Sequence, residues 1–279
     1  MNNKKLLANF GLKWNPFHQT PTEGLVSSPE IDNFIWRVEN LVLDGGFAMI
    51  TGDVGTGKST ALRLIRSKLS ELSEVQVAEV ERPQSGLADF YRELGDKFSL
   101  QFSITNRYSC FKQLREKWHS HIESTLFRPV ILIDEAQEMQ PFILSELRII
   151  SSSQIDSKSF ISIILCGDNR LSEKFRRPDL LPLGSRIRTR LIQEPKSKDE
   201  LARIISEAIR KAGNPNLLTK QLINTLADHS IGNLRTMMNM AAHLLEEGLK
   251  RELAQLDEKL FIEIFSINTS KHHGGRSKK

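Results

Sequence analysis

The sequence predicts an α/β fold, a parallel sheet flanked by helices, followed by a small all-α domain. Three observations carry the prediction. A glycine-rich turn, Gly52-Asp53-Val54-Gly55-Thr56-Gly57-Lys58-Ser59, sits between an apolar run over 46–51 and a stretch with apolar residues at helical spacing over 60–66. A second apolar run, Val130-Ile131-Leu132-Ile133, ends in the acids Asp134 and Glu135, as a buried parallel strand does when it carries polar groups to its C-terminal edge. From Lys198 onward four helical patterns follow one another with no strand-like run between them.

A chain of 279 residues suits one large domain or a core with a smaller companion. With 39% hydrophobic and 26% charged residues, the composition is that of a soluble globular protein. No apolar run approaches the roughly 20 residues that span a bilayer. Met1-Asn2-Asn3-Lys4-Lys5 lacks the apolar stretch of a signal peptide, so a cytoplasmic protein with no membrane segment is expected. Cys110 and Cys166 are the only cysteines, which gives no disulfide framework and fits a reducing compartment; Cys166, at the end of an apolar run, reads as a small core residue. The net charge of +5 and a pI near 9.2 admit an anionic partner such as DNA or RNA.

Taken in order, Phe10 to Phe17 is aromatic and turn-rich, suited either to covering a base or to a satellite core. Residues 29–42 place Ile31, Phe34, Ile35, Val38, Leu41 and Val42 on one helix face, ending at Gly45-Gly46. The turn at 52–59 then matches G-x-x-x-x-G-K-[ST], the phosphate-binding P-loop, in its strand-to-helix context. Its glycines let successive N–H groups face phosphate oxygens, and the next helix presents its positive end to them. Residues Gly52 to Thr60 are therefore expected to hold ATP, with Lys58 on the terminal phosphates and Ser59 on Mg²⁺.

A strand over 75–80, a helix over 87–98, a polar irregular stretch over 99–108 and a helix over 110–126 follow. Arg107, Lys112 and Arg115 cluster with Tyr108 and Phe111, a mixture that suits DNA contact or a solvated helix face. At the end of the strand over 130–133, Asp134 is a second candidate for Mg²⁺ and Glu135 is the candidate base for an attacking water. A helix over 142–150 leads to a strand over 160–167 that ends in Asp168-Asn169, polar groups placed to sense a γ-phosphate or simply to end the strand. Arg186, Arg188 and Arg190 alternate along an extended segment and so point one way. They fit either a basic edge strand or arginines offered to a neighbouring subunit's phosphate. Helices over 199–212, 219–229, 233–251 and 256–265 complete the chain, with Arg235 near the start of the third, and residues 267–279 read as a disordered basic tail.

These motifs together resemble the AAA+ ATPases, and more closely the ExeA-type branch. The set that carries the closer resemblance is Asn15-Pro16-Phe17, Gly45-Gly46-Phe47 and Asp134-Glu135-Ala136-Gln137, within a likeness covering roughly residues 10–265. The resemblance implies a segment over 1–45 leading into an AAA+ α/β nucleotide-binding core over 46–196, then a helical lid over 197–266. It implies Walker A at Gly52, Gly57, Lys58 and Ser59, and Walker B at Asp134 with Glu135. Sensor 1 would be Asp168 or Asn169, the arginine finger Arg186 with Arg190 second, and sensor 2 Arg235. Stand-alone chains of this build also resemble transposon target-selection ATPases of the TniB, TnsC and Mu B type. That likeness implies an ATPase that binds double-stranded DNA, assembles into a ring or helical filament and recruits a transposase. The ExeA-type alternative implies an ATPase that energises a secretion or envelope assembly through a protein partner.

Overall fold

The apolar runs marked by the sequence become neighbours in one sheet. A computed structural model describes residues 3–18, 20–101, 106–152 and 159–270. Its helices are α1 (Asn3–Phe10), α2 (Pro29–Asp44), α3 (Lys58–Ser70), α4 (Leu87–Lys97), α5 (Arg107–Thr125), α6 (Pro141–Ser151), α7 (Asn169–Lys174), α8 (Leu181–Gly184), α9 (Lys198–Lys211), α10 (Lys220–His229), α11 (Leu234–Lys250) and α12 (Glu258–Ser270). Its strands are β1 (Gly46–Gly52), β2 (Val75–Val80), β3 (Arg128–Ile133), β4 (Ser162–Gly167) and β5 (Ile187–Gln193). The chain forms two compact units: Ser27–Glu194, and the residues up to Val26 together with those from Pro195 onward.

In the first unit all five strands are parallel, in the order β2-β3-β4-β1-β5. The three inner strands are buried on both faces, which is why they read as continuous apolar runs. Successive side chains leave opposite faces of the sheet. Phe47, Met49, Ile131, Ile133, Ile163 and Leu165 therefore enter one core with α4, α5 and α6, and Ala48, Ile50, Val130, Leu132, Ile164 and Cys166 enter the other with α2 and α3. The edge strand β5 instead alternates buried and exposed positions. Ser28 caps α2 by accepting from the Ile31 N–H, with Pro29 in the first turn. Under α5, buried Trp118 meets Phe98 edge-on at 5.2 Å.

The second unit packs α9 to α12 around Leu201, Ile205, Leu222, Leu226, Leu244 and Leu256. Ser197 and Glu200 form a reciprocal capping box at the start of α9. Its core also takes Leu6, Phe10, Leu12 and Phe17. The Lys13 N–H donates to the Ala212 carbonyl at 2.8 Å, and the Asn214 side-chain amide donates to the Phe10 carbonyl at 2.8 Å. The aromatic N-terminal segment is thus core of the helical unit, the second of the two readings left open for it, and the α/β unit begins at Ser27. Helix α12 extends to Ser270, into the stretch expected to be disordered; the remainder of that tail, 271–279, lies outside the described residues. Among the described residues no helix is long and apolar enough to cross a membrane.

The basic cluster on α5 has partners within the fold. Glu146 on α6 is only 2% exposed, and its carboxylate accepts from both the Tyr91 hydroxyl and the Arg107 guanidinium. Burial first, and then Glu146, push the Tyr91 phenol well above its usual range. Arg115 donates to the Ser152, Ile150 and Ile149 carbonyls at 2.5, 3.3 and 3.4 Å, serving the free carbonyls at the end of α6. Its guanidinium also lies 5.0 Å from the Phe160 ring centre. Arg107 and Arg115 thus bond within the fold, and Lys112 makes an exposed pair with Glu116 at 3.7 Å.

Arg107→Ala leaves a buried carboxylate short of its charged donor and should lower unfolding free energy by about 1.5–3 kcal/mol. Lys112→Ala should stay within about 0.5 kcal/mol. Urea denaturation followed by circular dichroism distinguishes the two.

Candidate active site

Three strand ends build the site, because β4 lies between β3 and β1. With strands about 4.8 Å apart, the turn after β1 and the acids after β3 stand roughly 10 Å apart, a span suited to a bound phosphate and its cation. Open parallel sheets take ligands at this carboxyl edge.

The turn after β1 is held open by backbone geometry. Gly52 has φ 156°, and a Cβ there would sit 2.2 Å from the Gln193 carbonyl oxygen of β5. Gly55 and Gly57 have φ of 85° and 104°, the left-handed region that glycine tolerates. Thr56 Oγ1 and Lys58 Nζ each donate to the Asp53 carbonyl at 2.9 Å, folding the loop around one oxygen. Lys58 is 8% exposed although it opens α3. No side chain caps that helix, so its first N–H groups remain available as donors. Left-handed glycines, an uncapped helix start and an inward lysine together make a phosphate cradle. Ser59 is exposed beside it.

At the end of β3, Asp134 is half-buried and accepts the Glu135 N–H at 2.9 Å. Glu135 adopts a left-handed φ of 50°, which turns its side chain outward at the strand end. Beneath them lies the buried Cys166 of β4. Its thiol is driven well above the usual range, by burial first and then by the Asp134 carboxylate; Lys58 opposes the shift and Glu135 adds to it.

The end of β4 separates the two residues that sequence left as alternatives. Asp168 caps α7 by accepting the Arg170 N–H and binds the Arg170 guanidinium at 2.9 and 3.1 Å, which holds its carboxyl below the usual range. Asn169 instead donates to Asp53 Oδ1 at 2.6 Å, so its amide touches the loop after β1. Sequence reasoning passed over Gln137, which is 4% exposed and lies between Glu135 and Asp168. Its position two residues past Glu135, in a stretch already quoted as a motif, was the available signal.

Arg188 and Arg190 point outward from β5, and Arg186 precedes the strand. Arg186 donates to Ser152 Oγ at 2.9 Å, and burial together with Arg148 lowers its pKa. Arg190 donates to the Gly184 carbonyl at 3.2 Å, and Arg188 lies 4.0 Å from Asp44. Arg235 is an exposed residue in the first turn of α11, in the helical unit. Among the described residues no three His, Cys, Asp or Glu side chains gather around a metal-sized space. Magnesium bound mainly through phosphate oxygens and water needs only one or two protein oxygens, so Ser59 and Asp134 fit it.

Residues 42–175 match the family model of the AAA domain. General secretion pathway protein A of Aeromonas hydrophila is 28% identical over 237 residues, 83% of this chain. The chain spans 42% of that relative's length. The ORC2 protein of Aeropyrum pernix, solved with ADPNP and ADP, is similar with a TM-score of 0.72 and 16% identity over 90% of this chain and 71% of that one. The A. pernix ORC1 protein in complex with DNA gives a TM-score of 0.68 and 14% identity over 92% and 68%. At such identities these structures speak to the fold. These likenesses give the chain a parallel α/β core of the AAA+ fold with a helical companion unit, and the match at 42–175, which contains the P-loop and the acid-tipped strand, supports an ATPase.

Proposed function

We propose that the chain is an ATP-controlled assembly ATPase that acts on a protein partner in a secretion pathway, the process that the name of its relative gives for that protein. The observation that carries this reading is the likeness to that relative across 83% of the chain, which includes both the loop after β1 and the acids after β3. ATP would lie with its phosphates on the N–H groups of residues 52–60 and with Lys58 at the terminal phosphates. Ser59 and Asp134 are the residues for Mg²⁺, which would neutralise charge on the β- and γ-phosphates. Glu135 takes a proton from water as the water oxygen bonds to the γ-phosphorus; the bond to the β–γ bridging oxygen breaks, releasing phosphate and ADP. Asn169, already on the loop, is the better placed of the two sensor candidates, and Asp168 is its support. Arg186, with Arg190 second, would reach the phosphate of a neighbouring copy, and Arg235 would act as the second sensor. Work of this kind belongs in the ATP-containing cytoplasm.

A second reading has its own support. The net charge of +5, the pI near 9.2 and the exposed arginines of β5 suit double-stranded DNA, with a ring or filament recruiting a transposase. One experiment separates the two: ATP turnover and assembly are measured by phosphate release and electron microscopy, with and without duplex DNA. The first reading expects assembly with a slowly hydrolysed ATP analogue alone. Turnover that needs duplex DNA, with affinity falling steeply as salt rises, moves the assignment to the second. Monomers under every condition would sink both.

Lys58→Ala should weaken binding of a fluorescent ATP analogue by at least about tenfold. Glu135→Gln should keep that binding, lose hydrolysis by about 100-fold or more and accumulate assemblies. Arg186→Ala should cut assembly-dependent turnover on the order of 10³-fold; normal turnover in that variant would mean that each copy hydrolyses alone.

A further inference from the structure

We propose that Gln137 is the positioning residue of the hydrolytic carboxylate, holding one Glu135 oxygen so that the other faces the attacking water. This rests on the reading of Glu135 as the base. The side chain of Gln137 is buried between two strand ends. Its Oε1 accepts the Asp168 backbone N–H at 3.1 Å, and its Nε2 donates to Glu135 Oε2. A backbone N–H can be met only by the amide oxygen, so the Asp168 contact turns the NH₂ group toward Glu135. The orientation is therefore dictated by the neighbours.

The surroundings are shaped to keep this amide in place. A Cβ at Gly167 would lie 2.4 Å from Gln137 Oε1, so the end of β4 approaches as closely as it does only because that residue is glycine. Lys174 of α7 donates to the Gln137 carbonyl, and to the Met139 carbonyl at 2.9 Å. Arg170 ties Asp168 to Glu138 with a 2.7 Å bond on each side. The short turn that carries Gln137 is thus laced to α7 at several points. Glu135 has less support. Among the described residues, Gln137 is the one hydrogen-bond donor to its side chain.

The link continues past Asp168. The next residue, Asn169, donates to Asp53 in the loop after β1. A chain of contacts thus runs from the phosphate loop through Asn169, the Asp168 N–H and Gln137 to Glu135. A nucleotide that moves Asp53 would be felt by the base through bonds of fixed direction.

The test compares Gln137→Glu, Gln137→Met and Glu135→Gln in the full chain, reading kcat, KM and the affinity for a fluorescent ATP analogue. Gln137→Glu keeps an acceptor for the Asp168 N–H but places a second carboxylate against Glu135. It should lower kcat by about 10- to 100-fold with KM and analogue affinity within about twofold. Gln137→Met removes both bonds at similar length and should lower kcat with the same unchanged KM and analogue affinity. Retained analogue binding certifies folding, and if Gln137→Glu loses it, Gln137→Met decides. Wild-type kcat in the Gln137 variants beside a dead Glu135→Gln would overturn the positioning role and leave the base intact. A raised kcat in Gln137→Met would show restraint of the base instead. Normal hydrolysis by Glu135→Gln would remove the base reading on which the inference stands.

Discussion

The hydrogen-bonded order β3-β4-β1 is the constraint on which the rest of the site depends. Each strand alone is a short apolar segment with a polar end. Paired in parallel, they bring Asp134, Asp168 and Gly52 to one edge, and the ladder fixes the spacing between those ends. Register matters here as much as order, because a slip of one residue would exchange the two faces of a strand. Leu132 and Ile164 would then trade cores with Ile133 and Leu165. The same packing that stabilises the sheet therefore holds the polar ends at a working distance, so the stability of the core and the geometry of the site share one cause.

The polar edge is costly, and the structure offsets the cost locally. A non-glycine residue at left-handed φ, as at Glu135, carries a penalty of roughly 1–3 kcal/mol. The bonds from Lys174, Arg170 and Gln137 to the turn that follows hold the backbone in that state. Lys58 is similarly drawn inward by the Asp53 carbonyl, a partner that a phosphate group would outcompete on charge. Cys166, fully buried at the end of β4, makes the floor of the site dry. Charges placed above such a floor act on one another more strongly than they would in water.

Local patterns explain what the sequence disclosed. A P-loop is legible because its glycines answer to backbone geometry within eight residues, and the acid-tipped strand because burial on both faces demands an unbroken apolar run. The helical unit was legible from its periodicity. What stayed hidden depends on partners far away in the chain. Arg107 and Arg115 look like a solvated or DNA-facing group until Glu146 and the end of α6 are seen beside them. The segment from Phe10 to Phe17 is core because the helices some 200 residues later bury it, and Ala212 and Asn214 supply its hydrogen-bond partners. Gln137 was inside a quoted motif, yet its role needs the N–H of Asp168 at the end of another strand.

The arginines near β5 carry the last step. Arg188 lies near Asp44, and Arg190 bonds a carbonyl of its own unit. Arg186 is different: its recorded partner is a neutral hydroxyl, Ser152 Oγ, and it feels the like charge of Arg148 while losing hydration to burial. Among the described residues no carboxylate forms an ion pair with Arg186 or Arg148. Two guanidinium groups so placed repel each other, and burial strengthens the repulsion. An incoming anion would reverse the sign of that interaction. Arg cannot relieve the repulsion by giving up its proton, since its pKa stays too high. A phosphate from a neighbouring copy's nucleotide has the charge and the geometry that a guanidinium fork accepts. This asymmetry among three alternating arginines is the physical reason to prefer Arg186 as the residue through which ATP in one copy would be read by the next.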